Sequence, residues 1–316
     1  MKKLSRISSD DNRGELLTEK SNKNSKDLDM LNTLNLVKIF SNEDLEPQRA
    51  VSQEIPQIAK AIDLIAARLK SGGRLFYLGT GTSGRLGALD ASECPPTFCS
   101  SPELVQAIIA GGDPALRKSS EGLEDLEYLA IDDLNAHKFT MNDVLVGITA
   151  GGTTQYVKAA LTHASAIGAS TVAITCVPKQ QVKLDCDIDI RLLTGPELLT
   201  GSTRLKAATA TKMTLNMIST IVMIRLGKVY GNRMVDVAVK NIKLHDRALR
   251  ILGDIADVDR DQAEALLKSS NGSVKLSLLM AIGKIDLIRA QEILSANDNY
   301  LRPALDQISN FKTDFR

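Results

Sequence analysis

The sequence predicts an α/β fold: a doubly wound, mostly parallel five-stranded sheet with N-terminal helices and a small C-terminal all-helical subdomain. Three observations predict it. Short apolar runs alternate with helical patterns through the middle of the chain, glycine-rich loops follow two of these runs, and the runs stop after about Gly231. Uninterrupted apolar runs are typical of parallel strands that helices cover on both faces.

Five apolar runs are the predicted strands, at residues 74–78, 105–110, 144–150, 170–176 and 187–193. Helical patterns occupy residues 85–91, 116–130, 155–167 and 205–226. Residues 28–70 also have helical spacing, with the apolar stripe Ile58, Ala61, Ile62, Ile65 and Leu69. Right-handed crossovers between parallel strands then give an open, doubly wound layer.

The C-terminal part is predicted to be all helical, with segments at residues 259–268, 274–282, 286–296 and 301–308. Asp259 and Asp286 are the predicted N-caps of two of them. The predicted organisation is a polar, flexible arm over residues 1–25, a sheet domain with its N-terminal helices over residues 26–232, and a helical subdomain over residues 233–316.

Composition narrows the classes of function. Lys and Arg total 39 against 38 Asp and Glu, a formal net charge of +1, which gives no reason to expect a nucleic-acid or membrane partner. The apolar runs are too short to span a bilayer, and the N-terminus has no apolar signal region, so we expect a cytoplasmic protein. Four cysteines fit neither a disulfide framework nor zinc spacing, and no metal site is expected. They are Cys94, Cys99, Cys176 and Cys186.

A glycine-rich loop directly after the first predicted strand is the strongest local signal. Its members are Gly79, Thr80, Gly81, Thr82, Ser83 and Gly84. Glycines let a backbone approach a ligand, and hydroxyl and N–H groups at a helix start bind anions. The loop lacks the lysine of a Walker motif. A dinucleotide site stays open, although Asp113 lies about 30 residues on rather than the usual 20 or so, and so does a plain strand-to-helix turn.

Two further loops have the same character. Residues 150–156 read AGGTTQY and follow the third strand, so Thr153 and Thr154 are predicted to hold the same anion from a second side. Residues 200–206 read TGSTRLK and open the long helix, where Ser202 is a further candidate. An ordinary N-cap followed by solvated charges explains the third loop equally well.

Two groups of carboxylates lie close to these loops in sequence. Glu93 belongs to DASECPP, where the double proline is predicted to end a helix and fix the direction of the side chain. Glu121 and Glu124 are three residues apart and are predicted to share one helix face. Two carboxylates in one pocket can act as acid and base. For residues 121–125, the spacing alone favours an acidic helix face that is exposed to water.

Several segments together resemble the N-acetylmuramic acid 6-phosphate etherase family. They are residues 79–97 (GTGTSGRLGALDASECPPT), 121–125 (EGLED), 199–212 (LTGSTRLKAATATK), 227–237 (GKVYGNRMVDV) and 241–247 (NIKLHDR). The likeness runs from about Leu16 to the C-terminus. It implies a sugar isomerase (SIS) fold, a small-molecule amino sugar phosphate as substrate, a homodimer, and a cytoplasmic role in cell-wall recycling. No cofactor is implied.

The resemblance also implies a reaction and its residues. The lactyl ether of N-acetylmuramic acid 6-phosphate is cleaved with water, releasing N-acetylglucosamine 6-phosphate and D-lactate. Glu93 is implied as the acid that protonates the lactate oxygen and later activates water, and Glu124 as the group that handles the C2 proton. The glycine loop is implied to hold the 6-phosphate. Lys243 and His245 are candidates for reaching a site across a dimer, with a structural role equally open.

The second loop departs from the family pattern. The family usually reads ASGRTPY where this chain reads AGGTTQY, so a serine is replaced by Gly151, an arginine by Thr153 and a proline by Gln155. This predicts an altered substrate affinity or sugar preference. Two alternatives on the same fold are a sugar-phosphate-binding regulator and an aldose–ketose phosphate isomerase. The regulator is much longer, and the isomerase needs no leaving-group acid.

Overall fold

The computed structural model describes residues 13–120, 122–237 and 241–313. Glu121, a predicted site residue, lies outside the described residues, as do residues 1–12 of the predicted arm. The chain forms two compact units. One contains the described residues of Met1–Ala91 and Glu103–Ser219, and the other those of Ser92–Pro102 and Thr220–Arg316.

The elements of the sheet region follow one another in the order that the sequence predicts. The helices before the sheet are α1 (Thr33–Glu43), α2 (Glu46–Gln53) and α3 (Ile55–Lys70). Then come β1 (Leu75–Gly79), α4 (Gly81–Phe98), β2 (Val105–Ile109), α5 (Asp113–Arg117), α6 (Glu127–Ala136), β3 (Val144–Ile148), α7 (Gln155–Ala166), β4 (Ser170–Thr175), β5 (Ile188–Arg191) and α8 (Lys206–Arg225).

The five-stranded sheet has the order β2-β1-β3-β4-β5, and every pair in it is parallel. The predicted fold class and all five predicted strands are therefore confirmed. The strand order reverses between β1 and β3, where Gly79 pairs with Ile148. Open α/β sheets bind ligands outside the carboxyl ends of strands at such a switch point.

Helix α3 packs against the sheet through a predicted apolar stripe. All of the stripe residues of α3 are buried: Ile58, Ala61, Ile62, Ile65 and Leu69. Pro56 sits in the first turn of α3, where its missing N–H removes no helical hydrogen bond.

Helix α4 is longer than the sequence predicts at both ends. It begins inside the glycine loop, at Gly81, and it runs through Pro95 and Pro96 to Phe98. The prediction that the double proline ends the helix is wrong. Each proline removes one i→i−4 hydrogen bond, and the remaining bonds of this last turn are sufficient to continue it.

The helix predicted over residues 116–130 is also wrong, because the chain forms two separate helices there. Helix α5 ends at Arg117 and α6 begins at Glu127. Helix α5 ends where Lys118 turns to an extended conformation, with φ −123° and ψ 143°, and in the connection Gly122 has φ +89°, which is incompatible with a right-handed helix. Glu124 therefore lies on a turn rather than on a helix face.

Residues 13–25 form three short 3₁₀ helices, Arg13–Glu15, Leu17–Glu19 and Lys23–Ser25. We call residues 13–22 the N-terminal strap. Within it Leu16, Thr18 and Asn22 are buried.

The second unit is mostly helical. A two-stranded antiparallel hairpin, β6 (Val229–Tyr230) and β7 (Arg233–Met234), precedes its helices, so one strand lies beyond the predicted end of strands near Gly231. The helices are α9 (Ile242–Ala256), α10 (Arg260–Ser269), α11 (Val274–Gly283), α12 (Leu287–Ala296) and α13 (Leu301–Thr313). Asp259 and Asp286 cap α10 and α12 as predicted.

In the part of the chain that the structure describes, helix α8 alone has the length and composition of a membrane-spanning helix, with a mean hydropathy of 1.2 over its most apolar window. Half of that window is buried inside the protein. Its buried residues include Ala210, Leu215 and Ile218. A long apolar helix that is half covered by protein is typical of a core helix.

Candidate active site

A cavity of about 470 Å³ lies in the first unit, around the loops that follow β1 and β3. Its walls come from five short segments that are far apart in sequence. The lining residues are Arg13, Leu16, Thr18, Glu19, Thr80, Gly81, Thr82, Ser83, Leu86, Glu124, Asp125, Thr149, Ala150, Gly151, Thr153, Thr154, Thr203, Ala207, Ala208 and Thr211. Threonine and serine hydroxyls dominate this lining, which favours a polar, oxygen-rich ligand.

The first glycine loop is a very tight turn between β1 and α4. Thr80, Gly81, Thr82 and Ser83 line the cavity. Gly79 and Gly84 do not line it, but they allow the turn. A Cβ on Gly84 would lie 2.6 Å from the Gly79 carbonyl oxygen. Because α4 begins at Gly81, the free N–H groups of its first turn belong to the cavity wall, as an anion site requires.

The second glycine loop lies beside the first. Thr149 Oγ1 is 3.0 Å from Thr154 Oγ1 and accepts a hydrogen bond from the Gly152 N–H at 3.2 Å. Helix α7 begins at the next residue, Gln155, without a side-chain cap. Thr153 and Thr154 both line the cavity. The starts of two helices and their hydroxyl groups thus meet at the switch point, which suits a phosphate group.

Glu124 reaches the cavity from the turn after α5. Thr80 Oγ1 donates a long hydrogen bond of 3.5 Å to Glu124 Oε2. The Glu124 carbonyl oxygen accepts a 3.0 Å bond from the Tyr156 N–H, which anchors the turn to α7. One exposed carboxylate therefore stands next to the predicted phosphate loop. The neighbouring Asp125, which sequence reasoning did not single out, also lines the cavity.

The N-terminal strap forms a wall of the cavity, a contact that was not predicted from the sequence. Arg13, Leu16, Thr18 and Glu19 line the cavity. Their local composition is polar and resembles that of a flexible tail. A long-range contact fixes their position: the Leu17 N–H donates a 2.9 Å hydrogen bond to Oε1 of Gln181, which lies 164 residues later in the chain.

The start of α8 adds the last wall. The candidate Ser202 does not line the cavity, whereas the adjacent Thr203 does, together with Ala207, Ala208 and Thr211 of the helix. Glu197 holds this helix start by accepting bonds from the Lys206 and Ala207 N–H groups at 3.0 and 2.9 Å. The third loop is thus both a capped helix start and part of the cavity wall.

All cavity-lining residues belong to the first unit, whereas Glu93, Lys243 and His245 belong to the second. Glu93 is exposed on α4, and Lys243 is exposed on α9. His245 Nε2 is 3.2 Å from Glu264 Oε1. The roles of these three residues stay predictions.

A buried carboxyl group, Asp90, lies three residues before Glu93 on α4. Burial raises its pKa to about 6, although hydrogen bonds from Tyr77 and Ser219 and the charge of Lys212 act in the opposite direction. Ser219 Oγ donates at 3.0 Å. Asp90 is therefore a titratable group inside the first unit.

Two family profiles match this chain. The profile described as "Glucokinase regulatory protein N-terminal SIS domain" matches residues 57–165. The profile described as "C-terminal lid domain of glucokinase regulatory protein" matches residues 231–287.

Several curated proteins resemble this chain over nearly its whole length. The N-acetylmuramic acid 6-phosphate etherase of Synechococcus sp. (strain CC9902) is 62% identical over 296 residues, 94% of each chain. The enzyme of that name from Prochlorococcus marinus (strain MIT 9313) is 62% identical over 95% of each chain. That from Trichodesmium erythraeum (strain IMS101) is 55% identical over 96% of this chain and 98% of the relative. With such identity over nearly its whole length, the chain belongs to the N-acetylmuramic acid 6-phosphate etherase family.

Proposed function

We propose that this protein cleaves the D-lactyl ether of N-acetylmuramic acid 6-phosphate, giving N-acetylglucosamine 6-phosphate and D-lactate. The observation that carries the proposal is its 62% identity over 94% of an etherase of that name. The hydroxyl-lined cavity at the switch point supports it, because a phosphorylated sugar needs many hydrogen-bond partners and an anion site.

The chemistry explains why carboxylates are needed. Opening the sugar ring gives an aldehyde at C1, which acidifies the proton on C2. A base removes this proton, the C3–O bond breaks with its electron pair going to the lactate oxygen, and an acid protonates that oxygen. Water then adds at C3 and a proton returns to C2, so the net change is hydrolysis of an ether that resists direct attack.

We assign the groups as follows. The α4 and α7 starts, with Thr80, Thr82 and Ser83, hold the 6-phosphate. Glu124, which stands 3.5 Å from Thr80 Oγ1, removes and returns the C2 proton. Glu93 protonates the departing lactate and then activates water, on the strength of the DASECPP match alone. We also propose that the enzyme is cytoplasmic, acts in cell-wall recycling and works as a homodimer.

The test is to incubate the full-length protein with N-acetylmuramic acid 6-phosphate and to measure D-lactate. When the reaction is run in H₂¹⁸O, the sugar product should contain ¹⁸O and the lactate should contain none, because the C3–O bond is the one that breaks. Glu124→Gln and Glu93→Gln should each lower kcat by about 10²- to 10⁴-fold, the usual contribution of a general acid or base. Glu127→Gln, at an exposed glutamate at the start of α6 outside the cavity lining, is the matched control and should retain most activity.

The same experiment separates the alternatives. A binding regulator should take up the sugar phosphate without releasing lactate. An isomerase should interconvert aldose and ketose phosphates and leave the lactyl ether intact. If the wild-type protein binds the substrate and no lactate appears, the etherase proposal is wrong.

A further inference from the structure

The cavity contains little positive charge for a site that is to bind a phosphate dianion. Among the described residues that line it, Arg13 is the one lysine or arginine, against the three carboxylates Glu19, Glu124 and Asp125. Helix starts and hydroxyl groups neutralise part of a phosphate charge, but a guanidinium group does so most effectively because it offers paired N–H donors. Arg13 lies on the N-terminal strap.

The strap has a defined position on the wall of the cavity. The side-chain amide of Gln181 makes two hydrogen bonds to the first part of the strap. Its Nε2 donates to the Glu15 carbonyl oxygen at 2.9 Å, and its Oε1 accepts from the Leu17 N–H at 2.9 Å. Asn22 holds its last part, donating to Glu43 Oε2 at 2.8 Å and to the Pro196 carbonyl oxygen at 2.9 Å. Thr18 and Glu19, which lie between these two anchors, are therefore presented to the cavity, and Arg13 lies two residues before the first anchor.

Arg13 is free to turn towards a ligand. The carboxylate nearest to it is Asp125, with Nη2 and Oδ1 4.0 Å apart, and both side chains are half exposed. An exposed ion pair of this length contributes little to stability. A phosphate group in the cavity can therefore take the guanidinium group from Asp125 at little cost.

A second, independent observation on the strap points to a ligand. Thr18 is only 2% exposed and lines the cavity, and its Oγ1 has no hydrogen-bond partner among the described residues. A buried hydroxyl group without a partner is unfavourable, so such groups are normally satisfied. A Cβ built on Gly151 would lie 3.7 Å from this Oγ1 and 3.8 Å from Thr153 Oγ1. The unpartnered hydroxyl thus stands next to the second glycine loop.

We infer that the N-terminal strap completes the anion site: Arg13 supplies its cation and Thr18 a hydroxyl donor to the phosphate of the sugar. This inference rests on the proposed function. It assigns a binding role to residues that precede the sheet domain in sequence. It also explains how a second loop without any cation can take part in binding, since the charge comes from the strap.

The test measures binding of N-acetylglucosamine 6-phosphate, the proposed product, by calorimetry with the full-length protein. Unphosphorylated N-acetylglucosamine serves as a second ligand. Arg13→Gln should weaken binding of the sugar phosphate by about 10- to 100-fold relative to wild type, the usual worth of a hydrogen bond to a charged group. The same variant should bind the neutral sugar as well as wild type does. Arg117→Gln, an exposed arginine on α5 outside the cavity lining, is the matched control and should bind normally.

Thr18 is tested by loss and rescue. Thr18→Val keeps the shape of the side chain and removes the hydroxyl, and should weaken binding of the sugar phosphate by about 3- to 10-fold. Adding Gly151→Ser to that variant should restore much of the loss, because the new Cβ, which carries the hydroxyl group, would lie 3.7 Å from the position of Thr18 Oγ1, and Gly151 has no positive φ.

Two results would overturn the inference, and they are distinguishable. If wild-type protein binds the sugar phosphate and Arg13→Gln binds it equally well, the strap has no role in the anion site while the proposed function stands. If wild-type protein binds neither the sugar phosphate nor the etherase substrate, the proposed function fails and this inference fails with it. In urea unfolding at pH 7, Arg13→Gln should match wild type because Arg13 is exposed, and Thr18→Val should be at least as stable as wild type because it removes a buried hydroxyl group that has no partner.

Discussion

Replacing Asp90 by asparagine should change how the stability of the first unit depends on pH. The pKa of Asp90 is raised from 3.8 to about 6, chiefly by burial. For an acid with a raised pKa, the folded state binds more protons than the unfolded state between these two values. Stability should therefore fall as the pH rises from about 4 to about 6, and the loss is fully present above that range.

The magnitude follows from the size of the shift. One pKa unit corresponds to about 1.4 kcal/mol. With a rise from 3.8 to about 6, ionised Asp90 lowers the free energy of unfolding by about 3 kcal/mol at pH 7. Asparagine is neutral at every pH and can still accept the bond from Ser219. Asp90→Asn should thus be more stable than wild type by up to about 3 kcal/mol above pH 7, and no more stable at pH 4.

The assay is urea unfolding followed by circular dichroism at half-unit steps from pH 4 to pH 8. Asp143→Asn is the matched control with the opposite sign. Burial raises the pKa of Asp143, but hydrogen bonds from Arg74 and Thr140 and the charge of Arg74 together hold it below its usual value. That variant should be destabilised at pH 7, and its deficit should stay nearly constant down to pH 4, because a carboxyl group with a lowered pKa loses its contribution only below its ordinary value of 3.8. An Asp90→Asn stability difference that stays constant with pH would refute the reasoning.

Three further predictions concern other parts of the molecule. Gly84→Ala should destabilise the first unit by about 1–3 kcal/mol and weaken binding of the sugar phosphate, because its Cβ would meet the Gly79 carbonyl oxygen at 2.6 Å; calorimetry and urea unfolding check this, with no change as the contrary result. Lys275→Met should destabilise the second unit by about 3 kcal/mol, since Nζ is buried and lies 2.7 Å from Asp236 Oδ2; urea unfolding should show a much smaller loss for Lys228→Met, whose Nζ is 3.2 Å from the same atom and more exposed. Gln181→Ala should raise KM for the lactyl sugar with little change in kcat, because it loosens the strap without touching the reacting atoms; an equal fall in kcat would count against a positioning role.

Sequence reasoning located the five strands of the sheet to within two residues at each end. The reason is physical: a parallel strand that helices cover on both faces must be apolar at nearly every position, as residues 144–148 are. The N-caps of two C-terminal helices were predictable because they act locally: Asp259 and Asp286 each accept a hydrogen bond from the N–H group three residues later.

What sequence reasoning missed depends on contacts between distant residues or on one backbone angle. Helix α5 ends because Lys118 turns to an extended conformation, and Gly122, with its positive φ, lies in the connection to α6; composition alone does not reveal these backbone angles. Thr18 and Asn22 are polar, and polar residues near a terminus usually meet water. Asn22 is buried because Pro196, 174 residues later, accepts its hydrogen bond. No local pattern carries that information.

The anchoring of the strap has a consequence for biosynthesis. The strap emerges from the ribosome well before its partner Gln181, which follows 164 residues after Leu17. At about 5–20 residues per second, that interval lasts roughly 10–30 s. During it Asn22 can already reach Glu43, but the first part of the strap lacks Gln181, and closing so long a loop is slow and entropically costly. The first part of the strap is thus made before the sheet and docks after most of it, so the anion site is completed late in folding.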